Sequence, residues 1–295
     1  MKAALHANYE HQRPDSDQTL AHWNAATLPF LKWAGGKRRL VPTLHRLLPR
    51  AWGGYFEPFL GSGALYFSMP QSGAHLNDAN EELICCYEVV RDQPEKLISH
   101  LRQHVYSREH YAAVRRLRPE DMTAVERASR FVFLNRTCFN GLWRVNRRGE
   151  FNTPMGRYTN PRLVPDVQIR AASEALRSCH LSADPFEAAV SGCQAGDLVY
   201  LDPPYVPTAK YSDFDRYHRL CFGEEDQRRL AVLFAELHER GCLVMLSNSD
   251  APLVRKLYQQ WRFTSVQATR SISCVGQGRG KVAEVIVTNY APSHV

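Results

Sequence analysis

One short stretch of the sequence, residues 198–205, constrains the fold of this chain more than any other. It reads LVYLDPPY, so that four apolar or aromatic residues run directly into Asp202, Pro203, Pro204 and Tyr205. An apolar run of this length that is stopped by proline predicts a buried strand with an abrupt end. Because proline has a fixed φ angle and no N–H group, the backbone that follows is stiff and Asp202 is held in extended geometry.

Asp202 is therefore expected at the carboxyl end of a strand, which in open α/β sheets is the edge where ligands bind. Its carboxylate, the free carbonyl of Pro203 and the ring of Tyr205 suit a flat group that carries N–H donors, such as the exocyclic amine of a base. The alternative is a strand-to-loop corner with a solvated aspartate, since Pro-Pro corners also occur without chemistry.

A strand, a glycine turn and a helix are predicted for residues 54–69. Tyr55 and Phe56 lead through Glu57-Pro58-Phe59 to Gly61-Ser62-Gly63 and an apolar helix. This is the arrangement of the first unit of a nucleotide-binding sheet. The third glycine of the dinucleotide fingerprint is missing, so the turn fits a smaller nucleoside better than NAD.

Asp78 ends a second short predicted strand, 17 positions after Gly61. An acid at this distance is placed to accept hydrogen bonds from ribose hydroxyls. The alternative is that Asp78 is the N-cap of a helix over residues 79–90, with Glu81 three residues further on. The two roles do not exclude each other.

A further glycine pattern, Ala34-Gly35-Gly36-Lys37, precedes an amphipathic helix that is closed by Pro49. Glycines permit close approach to the backbone, and a helix N-terminus faces whatever approaches. The pattern is not a Walker A loop, because Arg38 stands where serine or threonine is required. A plain turn and a ligand loop both fit it.

The net charge of +7 is concentrated in one arginine-rich segment. Residues 101–170 contain 14 arginines, no lysine and six acidic residues, so the remainder of the chain is nearly neutral. The planar fork of arginine suits phosphates and guanine edges. This concentration favours a polyanionic partner over the alternative of solvated helix faces.

Within this segment, residues 131–158 combine aromatic rings with asparagine, glycine and arginine, and Asn140-Gly141 is a turn signal. Around the turn lie Arg144, Arg147, Arg148 and Arg157, with Phe139, Trp143 and Phe151 interleaved. Such a loop suits nucleic acid, with rings to stack or wedge, asparagine and arginine to reach base edges, and arginine to hold phosphates. The alternative is a hairpin with ordinary surface arginines.

The order of these patterns predicts an α/β fold with a mostly parallel sheet and helices on both faces. We expect a catalytic domain formed by residues 28–91 and 176–295, an inserted recognition domain over residues 92–175, and disorder in residues 1–27, which lack periodicity.

The sequence also predicts a cytoplasmic protein. No apolar run approaches the roughly 20 residues that span a bilayer, and the N-terminus lacks the apolar region of a secretory signal. The eight cysteines form no C-x-x-C pair, which indicates reduced thiols, without a disulfide framework or a zinc site.

Four motifs together resemble the Dam-type (D12 class) DNA adenine-N6 methyltransferases: FLKWAGGK at 30–37, EPFLGSG at 57–63, NDAN at 77–80 and DPPY at 202–205. They occur in that family's order, and NRRGEFN at 146–152 is similar to its DNA-reading region. The resemblance implies a Rossmann-like, seven-stranded sheet with an antiparallel last strand, S-adenosylmethionine (SAM) as methyl donor and double-stranded DNA as substrate. We further expect no metal ion, no membrane, and a monomer that acts on DNA in the cytoplasm.

Carried over to this chain, the resemblance implies three groups of site residues. The catalytic residues are Asp202, Pro203 and Tyr205. The cofactor-binding residues are Trp33, Ala34, Gly35, Lys37, Glu57, Phe59, Gly61, Gly63, Asp78 and Asp202. The DNA-binding residues are Lys32, Phe139, Asn140, Leu142, Arg144, Arg147, Arg148, Pro154 and Tyr158.

The resemblance also implies a target sequence. The residues at positions where GATC-specific members contact bases are Lys32, Leu142, Arg144 and Pro154. Asn140 should fill the gap that a flipped adenine leaves. Phe139 replaces a tyrosine of the family, so ring wedging is kept and the phenol hydrogen bond is lost.

Two rival functions stay open. One is a SAM-dependent N-methyltransferase of RNA or of a protein amide, because an acid-Pro-Pro-aromatic corner serves any planar amine. The other is a non-catalytic DNA-binding relative. Two further chemistries lack their motifs: there is no Pro-Cys pair for a C5-cytosine methyltransferase, and neither H-x-E nor P-C-x-x-C for a zinc deaminase.

Overall fold

A seven-stranded sheet lies at the centre of this computed structural model, which describes residues 11–12, 29–33, 35–206, 222–269 and 281–292. The described strands are β1 (His11–Gln12), β2 (Ala51–Trp52), β3 (Tyr55–Glu57), β4 (His75–Asn77), β5 (His180–Ser182), β6 (Leu198–Leu201), β7 (Leu243–Ser249), β8 (Arg262–Thr269) and β9 (Lys281–Thr288). The sheet has the order β5-β4-β3-β6-β7-β9-β8, and β1 pairs separately with β2. Neighbours from β5 to β7 are parallel, whereas β9 is antiparallel to β7 and β8. The predicted mostly parallel sheet with an antiparallel last strand is confirmed.

The strand order reverses between β3 and β6. From this pair, β4 and β5 extend the sheet on one side and β7 extends it on the other. At such a switch point a crevice opens beyond the carboxyl ends of the strands, and open α/β sheets bind ligands there. The glycine turn after β3 and Asp202 after β6 both lie at this edge.

Helices flank the sheet. In the described ranges they are α1 (Val41–Leu47), α2 (Ala64–Ser68), α3 (Glu81–Asp92), α4 (Pro94–Leu101), α5 (Arg108–Arg116), α6 (Ala124–Thr137), α7 (Asp166–Leu176), α8 (Phe186–Ala189), α9 (Glu224–Glu239) and α10 (Pro252–Leu257), with 3₁₀ turns at Lys37–Arg39, Pro119–Asp121 and Phe139–Gly141. A capping box begins α6, in which Thr123 and Glu126 satisfy each other's backbone N–H groups. None of these helices is long and apolar enough to cross a membrane.

Apolar side chains cover both faces of the sheet, as the alternation along β6 shows. Leu198 and Tyr200 belong to a core that also contains side chains of α1 to α4, α6 and α7. Val199 and Leu201 belong to a second core with α8, α9 and α10. Each fully buried side chain of this size contributes about 1.5–3 kcal/mol. Burial on both faces is the reason that β6 reads as an uninterrupted apolar run.

Helices from residues 92–175 pack against the sheet as well as against each other. Phe131 of α6 and Ile169 of α7 lie in the same core as Tyr200. A smaller cluster joins α5 and α6 to Phe151, which follows them in the chain. The division of the chain into a catalytic and a recognition domain stays a prediction.

Two predictions concern residues outside the described ranges. One is the disorder of residues 1–27, of which only His11–Gln12 are described, paired with Ala51–Trp52. The other is the cofactor contact of Ala34.

Candidate active site

The glycine turn after β3 forms one wall of the crevice. Gly61 and Gly63 have φ angles of +48° and +64°, which residues with side chains rarely adopt. A Cβ atom placed on Gly61 would lie 2.8 Å from the indole ring of Trp33, so the turn and this ring are in contact. The Tyr87 hydroxyl fixes the turn by donating to the Gly61 carbonyl (2.9 Å). The crevice therefore presents bare backbone beside an aromatic ring.

Alanine at Gly61 is expected to lower the free energy of unfolding by about 2 kcal/mol, since the left-handed backbone and the contact with Trp33 each cost about 1 kcal/mol. Gly73→Ala is the matched control, because Gly73 has a φ of +72° and no atom within 4 Å of an added Cβ. It should lose only the backbone contribution, about 1 kcal/mol. Urea unfolding measures both variants, and equal losses would contradict a close Trp33 contact.

Asp78 ties the glycine turn to the end of β4. One carboxylate oxygen accepts from the Gly61 N–H (2.9 Å) and the other from the Asn80 N–H (3.0 Å). Burial raises the pKa of Asp78, and these two bonds oppose the rise. The alternative role as a helix N-cap is wrong, because the Asn80 side chain caps α3 by accepting from the N–H groups of Glu82 and Leu83. The remaining lone pairs of Asp78 are available to other donors.

Glu57 brings a deeply buried carboxyl group to the site. It is 2% exposed and accepts a hydrogen bond from the Tyr55 hydroxyl (2.7 Å). Burial raises the pKa of Glu57 to about 8, and the negative charges of Asp202 and Asp78 add to the rise. The group is thus mostly protonated at pH 7, where it can also donate a hydrogen bond.

Asp202 at the end of β6 forms the opposite wall. The Lys37 ammonium lies 2.8 Å from Asp202 Oδ1 and donates to the Gly35 carbonyl (2.8 Å). Oδ1 is buried and holds the Lys37 ammonium, and the carboxylate has further lone pairs for other donors. Burial raises the pKa of Asp202 to about 6, while Lys37 opposes the rise and Glu284 adds to it. The site therefore holds a carboxylate oxygen that is poised to accept a donor.

Pro203 and Tyr205 complete the predicted catalytic set around Asp202. The Pro203 carbonyl makes no hydrogen bond within the described part of the chain. The Lys37 ammonium lies 4.3 Å from the centre of the Tyr205 ring, and the Tyr205 hydroxyl donates to Glu284 (2.8 Å). Asp202 and Tyr205 thus both contact Lys37, and Pro203 follows Asp202 in the same turn.

Side chains from α9 and β7 clamp the Asp-Pro-Pro-Tyr turn. The Gln227 amide donates to the Pro204 carbonyl (2.8 Å), and the Ser249 hydroxyl donates to the Val206 carbonyl (2.7 Å). The side-chain carbonyl of Asn248 accepts from the Val206 N–H (3.3 Å). Both ends of the turn are therefore fixed to regular elements.

A tight turn after α6 brings several of the predicted DNA-binding residues together. We call Phe139, Asn140, Leu142 and Pro154 the ridge. Phe139 is 43% exposed, and Asn140 has a left-handed backbone with a φ of +55°. The Phe139 N–H donates to the Pro154 carbonyl (2.9 Å), which places Pro154 beside the turn. The Leu142 carbonyl accepts from the Thr153 hydroxyl (2.7 Å), so the two chain segments run side by side.

Lys32 joins this ridge to the glycine turn. Its backbone N–H and carbonyl bond to the Asn135 side chain (2.9 and 2.6 Å), and a Cβ on Gly141 would lie 2.5 Å from the Lys32 Cβ. The Lys32 ammonium lies 3.8 Å from the centre of the Tyr158 ring. Burial lowers the pKa of Lys32, and the charge of Arg136 adds to the effect. The next residue is Trp33, which contacts the glycine turn. The predicted DNA-binding residues therefore adjoin the predicted cofactor-binding residues.

Arg144 lies in a hairpin whose tip carries Arg147 and Arg148. The Arg144 Nε donates to the Asn152 side-chain carbonyl (2.7 Å), which orients the guanidinium without neutralising it. Arg147 and Arg148 are exposed. The hairpin thus contains one arginine that is oriented by Asn152, Arg144, and two that are exposed to solvent, Arg147 and Arg148.

Comparison with known proteins shows the family of this chain. The profile of the D12 class N6 adenine-specific DNA methyltransferases matches residues 33–272. The chain is 44% identical over 270 residues to the type II methyltransferase M1.LlaDCHI of Lactococcus lactis subsp. cremoris, covering 89% of this chain and 95% of the relative. It is 37% identical over 285 residues to the type II methyltransferase M.MjaIII of Methanocaldococcus jannaschii (89% and 99%). It is 34% identical over 270 residues to a DNA adenine methylase of Escherichia coli strain K12 (90% and 96%).

The chain belongs to the D12 class N6 adenine-specific DNA methyltransferase family. The resemblance inferred from four short motifs is thereby confirmed over most of the chain.

Two of the three rings expected to contact nucleic acid pack against other rings of this methyltransferase, Phe151 being buried and Trp143 partly buried. The Trp143 ring is centred 3.9 Å from that of Phe131 and 4.6 Å from that of Phe151. Phe131 in turn stacks 6.4 Å from Trp33. We call these four residues the aromatic row. The alternation of rings with arginines predicts a surface loop. In the structure, Trp143 and Phe151 instead pack the hairpin against Phe131 of α6. Of the three rings, only Phe139 is exposed.

Phe59, a predicted cofactor residue of the methyltransferase, joins a ring cluster with Phe186 and Phe222 at centroid distances of 5.5 and 5.7 Å. Within the described residues, no group of three or more histidine, cysteine, aspartate or glutamate side chains could hold a metal ion.

The sequence does not predict the residues that hold the Asp-Pro-Pro-Tyr turn of the methyltransferase, nor Glu284. Gln227 and Glu284 lie inside regular elements with no motif around them. A sequence signal for these residues exists at Ser247-Asn248-Ser249, where three polar residues end an apolar strand at the edge of the sheet that binds ligands.

Proposed function

We propose that this family member transfers the methyl group of SAM to the N6 atom of an adenine that is turned out of duplex DNA. One observation carries the proposal: the Asp202 carboxylate, paired with Lys37 through Oδ1, and the Pro203 carbonyl, which accepts no hydrogen bond from the described residues, adjoin Tyr205 in the turn at the switch point. Two acceptors and a ring suit the exocyclic amine of a flat base. The relative named a DNA adenine methylase in Escherichia coli supports this choice of substrate.

The residues around the glycine turn fit SAM. A side chain on Gly61 would strike Trp33, so a ligand there lies against bare backbone, and Asp78 has lone pairs left for ribose hydroxyls. We infer that SAM is held by Trp33, Ala34, Gly35, Lys37, Glu57, Phe59, Gly61, Gly63, Asp78 and Asp202. When bound, SAM supplies an electrophilic methyl group on a sulfonium centre. No metal ion takes part.

The residues of the chain make the adenine amine reactive and hold it in place. N6 is a poor nucleophile, because its lone pair is delocalised into the ring. Asp202 and the Pro203 carbonyl each accept one N6–H bond, which favours a pyramidal nitrogen as the N6–methyl bond forms and the methyl–sulfur bond breaks. The methylated N6 then releases one proton. Tyr205 stacks on the base, and Lys37 keeps Asp202 ionised by opposing the rise in its pKa. Positioning and electrostatics of this kind supply most of the rate.

The ridge and hairpin engage the duplex in this proposal. Flipping a base out of the stack costs a few kcal/mol, which Phe139 offsets by wedging and Asn140 by filling the gap. The base-reading residues are Lys32, Leu142, Arg144 and Pro154, and the backbone-holding residues are Arg147, Arg148 and Tyr158. Residues 92–175 act as the recognition domain, the chain works as a cytoplasmic monomer, and the target is GATC.

Incubation with labelled SAM and with duplexes that contain or lack GATC tests the proposal. Transfer to the GATC adenine, mapped by sequencing that detects N6-methyladenine, is the expected result. Absence of transfer to any duplex, with SAM binding confirmed by calorimetry, would refute the enzymatic function and favour a DNA-binding relative. Methylation of another motif would refute GATC alone. Preferred transfer to RNA or to a protein amide in the same assay would favour the rival methyltransferase.

Arg144→Ala is expected to relax specificity at one base pair by about 1–3 kcal/mol, since an oriented guanidinium reads a base edge. Arg147→Ala and Arg148→Ala serve as comparisons, and should weaken binding to all sequences and flatten its salt dependence. Binding to cognate, singly substituted and random duplexes at several salt concentrations separates the two effects. Equal losses on cognate and random DNA for Arg144→Ala would contradict its assignment.

A further inference from the structure

One ionisable side chain at the active site has no part in the proposed mechanism. Glu284 lies on β9, the antiparallel strand, opposite Ser249 of β7. Its carboxylate accepts a hydrogen bond from the Tyr205 hydroxyl at 2.8 Å. Glu284 therefore reaches the Asp-Pro-Pro-Tyr turn from β9, a strand to which none of the predicted site residues belongs.

We propose that Glu284 is a positioning residue for methyl transfer, which fixes the ring of Tyr205 by accepting its hydroxyl. The inference rests on the proposed function, in which the target adenine stacks on Tyr205.

Tyr205 is held both at the face of its ring and at its hydroxyl. The Lys37 ammonium lies 4.3 Å from the ring centre, and Glu284 binds the far end of the side chain. A tyrosine has two side-chain torsions, so a cation over the ring and an acceptor at the hydroxyl set its orientation before a substrate arrives. Because Lys37 covers one face, a stacked base takes the other.

Glu284 also affects the charge of Asp202. Among the described residues, the ionisable groups that face Asp202 are Lys37, Glu57, Tyr200, Tyr205 and Glu284. Lys37 lowers the pKa of Asp202 and Glu284 raises it. Removal of the Glu284 charge therefore lowers the pKa of Asp202, so that Asp202 stays ionised to lower pH.

Two substitutions separate the hydrogen bond from the charge. Glu284→Gln keeps an oxygen that accepts the Tyr205 hydroxyl but removes the charge, whereas Glu284→Ala removes both. We expect Glu284→Ala to lose about tenfold in kcat/KM, the lower end of the effect of losing a base–ring stack, and Glu284→Gln to regain most of that loss. Both variants should move the acid limb of the kcat/KM profile to lower pH.

Tyr205→Phe tests whether Glu284 acts through the ring. In that background, Glu284→Ala should cause no further loss of base stacking, followed by the fluorescence of 2-aminopurine at the target position, while the shift of the acid limb persists. Glu236→Gln is the matched control, since it removes a carboxylate that is 53% exposed on α9. It should change neither the fluorescence of 2-aminopurine nor the acid limb of the kcat/KM profile.

The outcomes distinguish this inference from the function on which it rests. A wild-type protein that methylates no duplex would overturn both. An active wild type whose Glu284→Ala variant keeps full kcat/KM would overturn the inference alone, as would additive losses in the Tyr205→Phe background. Should Glu284→Ala fail to fold, Tyr205→Phe decides, because it keeps the ring but removes the hydroxyl that Glu284 accepts: reduced stacking of 2-aminopurine supports the inference, and unchanged stacking overturns it.

Discussion

Asp202→Asn is expected to lower kcat for methyl transfer by about 100- to 1000-fold. The side chain keeps its size but loses the negative charge that faces the adenine amine in the proposed mechanism. In the wild-type protein this charge sits on a buried oxygen 2.8 Å from Lys37, so it is held in place before the reaction begins. Removal of one preorganised electrostatic contact of this kind typically costs two to three orders of magnitude in rate.

Single-turnover transfer at saturating SAM and duplex measures this effect, because weaker binding then does not contribute. Asp92→Asn is the matched control, since Asp92 is 54% exposed and paired with Arg91 at the end of α3. It should react at the wild-type rate. An Asp202→Asn protein that keeps more than about a tenth of the wild-type rate would contradict the role assigned to Asp202.

Lys37→Met is expected to lower the free energy of unfolding by about 3 kcal/mol at pH 8, because a largely buried carboxylate loses its cation. Lys37 is 6% and Asp202 19% exposed. The pKa of Asp202 is already raised to about 6 and rises further without Lys37. A folded-state pKa above the unfolded value of about 3.9 favours the protonated form. The loss of stability relative to the wild type is therefore small near pH 4 and grows as the pH rises. It is complete above the pKa that Asp202 has in the folded variant.

The same substitution should move the acid limb of kcat upward by about two pH units, since Asp202 must be ionised to accept the amine and about 3 kcal/mol corresponds to about two pKa units. Denaturant unfolding at pH 5 and pH 8, together with the pH dependence of kcat at saturating SAM, provides the measurement. Lys37→Met combined with Asp202→Asn is the matched control, because it removes both charges and should regain most of the stability while staying inactive. A loss of stability that is equal at the two pH values would contradict an ionised Asp202 as the partner of Lys37.

The sheet and its ligand edge were predictable because their signals are local. Two prolines after Leu201 stop a strand, and Gly61 and Gly63 permit a turn that other residues resist, whatever the rest of the chain does. The family's motif order then placed these local signals in one crevice, as the structure has them.

What could not be predicted depends on distant partners. Glu284 lies 79 residues from Tyr205, and nothing in the alternation of β9 shows that its side chain ends at the catalytic turn. The cap of α3 shows the same limit at short range. Asp78 and Asn80 are both able to cap a helix, and the choice falls to Asn80 because the Gly61 N–H, 17 residues away, engages Asp78. Trp143 was misplaced for the same reason, since its partner Phe131 lies on a helix that packs against the sheet.

The aromatic row has a mechanical consequence. Trp33 touches the glycine turn, and Phe151 belongs to the hairpin that presents the exposed arginines. Closely packed side chains have the low compressibility of an organic crystal, so they transmit a displacement at one end to the other. The glycine turn and the hairpin are therefore mechanically coupled, and the packing of the four rings sets the spacing between them.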